Sequence, residues 1–174
     1  MKKTFNFFII LALILLIFSL TGCKENEIQN KSTKEDNQMT SEEISLKIKE
    51  QNENVGKIVT YTEETDINEL LGRPNQYISK TTFEDIRIEQ TNQYLDEDFF
   101  SEEERNEPIG GTIEVFENEK DMKKRKEYLE AVTSSMSVFA EYSYSQGCYL
   151  LRLNKTLTPT QAEEYEKIFY EVTK

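Results

Sequence analysis

Histidine and tryptophan are absent from the 174 residues, and there are only two cysteines, three prolines and six glycines. Without imidazole, neither a Ser-His-Asp triad nor a Cys-His pair can be assembled, and no histidine-ligated metal site can exist. No glycine-rich phosphate loop opens a helix, so a doubly wound nucleotide-binding fold is not expected. No internal repeat of solenoid period is present. Positive charge is also scarce, with 21 Lys and Arg against 33 Asp and Glu and a formal net charge of −12. Such a surface repels phosphate backbones, which excludes nucleic acid as an expected partner. It also disfavours anionic lipid surfaces, so any membrane attachment must be covalent or hydrophobic.

Hydrophobic residues are concentrated at the start of the chain. Lys2 and Lys3 precede an apolar stretch from Phe7 to Leu20 that is broken only by Ser19, the build of a secretory signal. As a helix it spans only about 21 Å, well short of the roughly 30 Å hydrocarbon core of a bilayer. The run ends in Leu20, Thr21, Gly22 and Cys23 and is followed at once by polar sequence.

These four residues resemble the lipobox of bacterial lipoproteins: an aliphatic residue, two small residues and a cysteine. The resemblance implies diacylglycerol transfer to the Cys23 sulfur and cleavage between Gly22 and Cys23, with residues 1–22 removed as a signal peptide. Two acyl chains, palmitate among the candidates, give stable anchoring where one is marginal. Without the leader, residues 23–174 carry a net charge near −14. With Cys23 lipidated, Cys148 has no disulfide partner within the chain.

Residues 24–40 contain no aromatic side chain, and Ile28 and Met39 are their only large apolar groups. That is too little to offset the entropy of ordering. The segment is expected to be a flexible tether with an r.m.s. reach of roughly 20 to 25 Å.

From Ser41 to Lys174 the pattern predicts one α+β domain, with a small antiparallel or mixed sheet and helices packed mainly on one face. Thr40 and Glu43 form a capping-box pattern ahead of Ile44 and Ile48, which predicts a helix near 41–53. "KIVTYT" reads as a strand, and Asp66 with Glu69 reads as the cap of a short helix that stops at Gly72 and Pro74. A second extended stretch is expected from Tyr77 to Glu89, and a third from Thr112 to Phe116 after Gly110 and Gly111. Asn118 is placed to cap a helix from Glu119 to about Ser134 that buries Met122, Leu129, Val132 and Met136 and turns Lys120, Lys123, Lys124 and Lys126 to solvent. "VFAEYSYSQGCYLLRL" predicts a hairpin turning at Gln146 and Gly147. Thr158, Pro159 and Gln161 open a last helix with Ala162, Tyr165, Phe169 and Val172 on its apolar stripe.

Chemistry is harder to place. The acidic run 96–108 carries Asp96, Asp98, Glu102, Glu103 and Glu104 as oxygen donors, but lacks the glycine and spaced bidentate Glu of an EF-hand. It reads as a solvated loop from which Phe99 and Phe100 tuck back, and no metal or other cofactor is expected. Glu63 and Glu64 are adjacent rather than facing, which is not glycosidase geometry. Cys148, beside Tyr149 and Leu150 in a strand, reads as a small buried hydrophobe. The tyrosines at 142, 144, 149 and 165 read as core. The turn "LLGRPNQY" can present Arg73 and Asn75 as an interaction site, although Gly72 and Pro74 also explain it as turn chemistry.

The resulting expectation is a lipid-anchored protein on the extracytoplasmic face of the cell membrane, with no recognisable catalytic apparatus, that binds a protein or envelope component. A cell-envelope hydrolase using carboxylates or a Ser-Lys pair and an inhibitory or exclusion factor are the alternatives. "LLGRPNQY", "GGTIEVFEN" and "LTPTQAEEYE" resemble segments of small lipoproteins of Gram-positive bacteria, which implies no particular activity.

Overall fold

Helix α1, Ser41–Gln51, starts where the backbone finds its own cap. The Thr40 hydroxyl accepts from the Glu43 amide, and the Glu43 carboxylate accepts from the Thr40 amide at 2.8 Å, so two otherwise orphaned donors are satisfied. In the computed structural model, residues 38–89, 107–136 and 140–174 are described. The leader with Gly22 and Cys23, the tether through residue 37, and the acidic run 96–104 with Phe99 and Phe100 lie outside the described residues.

After α1 come strands β1 (Val55–Thr60), β2 (Tyr77–Asp85) and β3 (Gly110–Phe116), helix α2 (Glu119–Ser135), the hairpin β4 (Glu141–Gln146) and β5 (Tyr149–Asn154), and helix α3 (Pro159–Val172). The five strands form one sheet in the order β1-β2-β3-β5-β4, antiparallel at every pairing. This is an α+β fold. The described residues from Met39 onward make one compact unit, and none of their helices is long and apolar enough to cross a membrane.

The period of two along each strand divides the side chains between two covered faces. On the first face, Phe83, Ile113, Val115, Leu151 and Leu153 meet Ile44 and Ile48 of α1 and Ala162, Tyr165 and Phe169 of α3. On the second, Tyr77, Phe116 and Leu150 meet Met122 and Leu129 of α2, with Leu71 from the segment between β1 and β2. Two of the three helices among the described residues thus share one face. The third covers part of the other, which gives the second face a roof as well as a floor.

Several local expectations need correction. No helix forms over 66–71; the segment 63–76 is a series of turns. Glu69 has φ 52°, in the left-handed region, which stops a helix there. Asp66 instead accepts from the Leu70 and Leu71 amides through Oδ2, at 2.9 and 3.0 Å. Strand β2 ends at Asp85, short of the extended stretch expected through Glu89; Ile86 beyond it is exposed, while Ile88 is buried. Met136, expected on the buried stripe of α2, is half exposed beyond the end of the helix. The hairpin turn is Gly147–Cys148, one residue later than read, with Gly147 at φ 56°. Cys148 is only partly buried, and Met39, expected in the tether, packs against the first-face core.

Candidate functional site

The sheet positions that face α2 are charged as well as apolar. Across β2, β3 and β5, the register places Lys80 opposite Glu114, Thr82 opposite Thr112, and Thr112 opposite Arg152. All of these project to the second face, because they alternate with Thr81, Ile113 and Leu151 of the first. Between this floor, the inner side of α2 and the turn around residues 68–76 lies a cleft of about 770 Å3.

Two ion networks build the floor. Glu114 is fully buried and accepts from Arg125 Nε and Nη2, both at 3.1 Å, and from Arg152 Nη1 at 2.9 Å. Arg152 continues to Glu141, donating from Nε at 2.8 Å and from Nη2 at 2.9 Å. In the second network Lys80 Nζ lies 3.0 Å from Asp66 Oδ1, 3.7 Å from Glu107 Oε1 and 4.3 Å from the centroid of the Tyr61 ring. Asp66 Oδ2 accepts from the Tyr77 hydroxyl at 2.6 Å. Asp66 therefore ties the irregular segment between β1 and β2 to the sheet, replacing the helix expected there.

These partners fix the protonation states. Burial raises the Asp66 carboxyl, but hydrogen bonds from Tyr77, Lys80 and the Leu70 and Leu71 amides outweigh it and hold the group at about 2. Burial likewise opposes the Glu114 carboxylate, yet the charges and hydrogen bonds of Arg152 and Arg125 keep it below the usual range. The Tyr77 hydroxyl is pushed up by burial and by the Asp66 carboxylate it donates to. Burial also pushes up Tyr61, helped by the Glu107 carboxylate that it faces.

The predicted interaction turn is split by its own geometry. Gly72 and Asn75 both adopt positive φ, 77° and 62°, which reverses the chain on either side of Pro74. Asn75 and the following Gln76 reach the cleft. Arg73 lines a different depression of about 1020 Å3 made by residues 63–74 alone, and pairs with Glu69 at 3.2 Å in the open. Glu63 and Glu64 line that depression too, and Glu64 is held below the usual carboxylate range by its hydrogen bond from Thr62. Among the described residues no three acidic or cysteine side chains converge to hold a metal ion.

The first face has a charge cluster of its own. Buried Asp85 accepts from the Tyr165 hydroxyl at 2.7 Å and from Arg87 Nη2 at 2.7 Å, and Arg87 reaches Glu164 at 2.8 Å. It clamps α3 to the end of β2 and opens onto no cavity described above. Tyr165 is core as expected, and Tyr142, Tyr144 and Tyr149 pack at its margin.

Sequence reasoning did not single out Lys80, Glu114, Arg125, Tyr128 or Arg152. A signal existed in "TIEVF", where a carboxylate sits between two apolar residues of a strand. Alternation alone makes that an exposed position, and only the roof of α2 makes it a buried one. Compared with known proteins, the chain matches no family model, no curated protein and no solved structure.

Proposed function

We propose that this chain is a lipid-anchored, extracytoplasmic binding module, held to the membrane through acyl chains on Cys23, whose ligand enters the cleft between α2 and the second face of the sheet. The anchor rests on the lipobox pattern of Leu20 to Cys23 behind a short apolar leader. The binding role rests chiefly on one observation: the buried charges of the cleft are spent on one another. Lys80 answers Asp66, Arg125 answers Glu114, and Arg152 answers Glu114 and Glu141. Such a floor is rigid and preorganised, which favours recognition.

The same observation weighs against the hydrolase alternative. Glycoside hydrolysis requires one carboxylic acid whose pKa is raised so that it can donate a proton. Asp66 and Glu114, the buried carboxylates of the floor networks, are both held in the opposite direction.

Cross-linking on intact cells followed by capture of the full-length chain tests this reading. A partner enriched over an unrelated domain carried on the same anchor is the expected result. Absence of any such enrichment, of protein or of envelope polysaccharide, refutes it.

A further inference from the structure

We infer that the α2 cleft binds an uncharged oligosaccharide, with Tyr128 as its stacking platform and the Asn75 and Gln76 carboxamides as its hydroxyl contacts. This inference rests on the binding-module reading and names the ligand class of the same site.

Charge decides first. Each of the four cations around the cleft has a carboxylate partner: Lys80 with Asp66 at 3.0 Å, Lys124 with Asp121 at 3.1 Å, Arg125 with Glu114 at 3.1 Å and Arg152 with Glu141 at 2.8 Å. Glu107 adds a further negative charge, and the whole chain is at −12. Nothing is left over to recruit a phosphate or a carboxylate.

The unused capacity is of another kind. The side chains of Asn75 and Gln76 and the hydroxyl of Tyr128 make no hydrogen bond among the described residues, although all three line the cleft. Each carboxamide offers donors and an acceptor together, which suits hydroxyl groups that are both. Glu107 Oε1 is buried and has Lys80 Nζ at 3.7 Å, but among the described residues it accepts no hydrogen bond, so a ligand O–H or N–H would offset part of its desolvation.

Shape and apolar surface complete the match. The Tyr128 ring is 61% exposed, has the Arg125 guanidinium 5.9 Å from its centroid, and shares the cleft lining with Leu129 and Val132. An exposed aromatic ring next to open hydrogen-bonding groups fits a molecule with an apolar C–H face and a polar rim, which describes a pyranose. An extended peptide is the poorer fit: the floor is the face of a sheet and offers no strand edge for main-chain pairing.

The full-length lipidated chain, reconstituted in phosphatidylcholine nanodiscs, is titrated with neutral tetramers of glucose and of N-acetylglucosamine and followed by calorimetry. Saturable binding of at least one, tighter than about 1 mM, is expected. Tyr128→Ala and Gln76→Ala should each weaken it by about tenfold, while Leu46→Ala on α1 leaves it unchanged. Both cleft side chains are at least partly exposed, so the variants keep the fold, which a thermal melt verifies. The affinity should change less than about twofold as salt rises, because no ion pair forms with the ligand. Failure of both tetramers to bind overturns the inference, as does binding that survives Tyr128→Ala, or cleft binding found only for a peptide or a charged polymer. If cross-linking still enriches a partner and Tyr128→Ala does not reduce its capture, the saccharide site fails while the binding-module reading stands.

Discussion

Glu114 and Arg125 meet side-on beneath α2, each carboxylate oxygen accepting one guanidinium hydrogen bond at 3.1 Å, with the Glu114 side chain wholly out of contact with water. The pair joins the middle strand of the sheet to the helix that roofs the second face. It therefore sets the depth of the cleft as well as its charge.

Glu114→Gln removes the charge that both Arg125 and Arg152 answer. A buried pair broken on one side leaves the other uncompensated, at a cost of roughly 3 to 5 kcal/mol. Urea denaturation should show the midpoint falling accordingly, with an unchanged slope. A loss below about 1 kcal/mol would mean that water already reaches the network.

Acid should act through Asp66. Its folded carboxyl titrates at about 2, against 3.8 for an ordinary aspartate. The stabilisation is therefore complete above roughly pH 5 and is lost as the pH falls through about 2 toward pH 1, about 2 kcal/mol in all. Asp66→Asn should lower stability at neutral pH and flatten the acid limb of the stability curve. An unchanged limb would remove Asp66 from the acid response.

Tyr165→Phe keeps the ring but deletes the hydrogen bond to Asp85 on the first face. The expected loss is about 1.5 to 3 kcal/mol, the usual range for a buried hydrogen bond to a charge. Cleft binding should not change, since the cluster lies across the sheet.

Two glycines should respond for different reasons. A Cβ at Gly111 would lie 2.3 Å from Phe83 Cζ and 2.8 Å from Leu153 Cδ2, so Gly111→Ala overpacks the first-face core by about 1 to 3 kcal/mol or more. Gly147 has open space around it but φ 56°, so Gly147→Ala costs about 1 kcal/mol through backbone strain alone. Thermal melts of the two variants should rank them in that order.

Cys23→Ala removes the only sulfur at the lipobox seam. The protein should then be released from the membrane fraction or remain as an uncleaved precursor. Tight retention of a fully cleaved product would contradict lipid anchoring.

What could be read from the sequence alone was local. Caps at Thr40, Asn118 and Thr158 act through hydrogen bonds three residues away, so the starts of the three described helices lie where those residues put them. Alternating β-branched and aromatic residues marked the strands, and their order with the helices implied an α+β arrangement. The proposed anchor, too, is a matter of contiguous residues from Lys2 to Cys23.

The cleft was beyond that reach, because its parts are distant in the chain and ordinary in isolation. Glu114 and Arg152 are 38 residues apart and meet only because β3 pairs with β5. Asp66 looked like a helix cap until Lys80 and Tyr77 engaged its carboxylate, and the left-handed Glu69 turned the chain elsewhere. Of the two residues singled out on the turn, Asn75 reaches the cleft and Arg73 does not, since the positive φ of Gly72 and Asn75 turns them apart. Sequence specifies what each residue can bond to nearby; which buried charges meet depends on strand register and on which face a helix covers, and both are set by the packing of the whole domain.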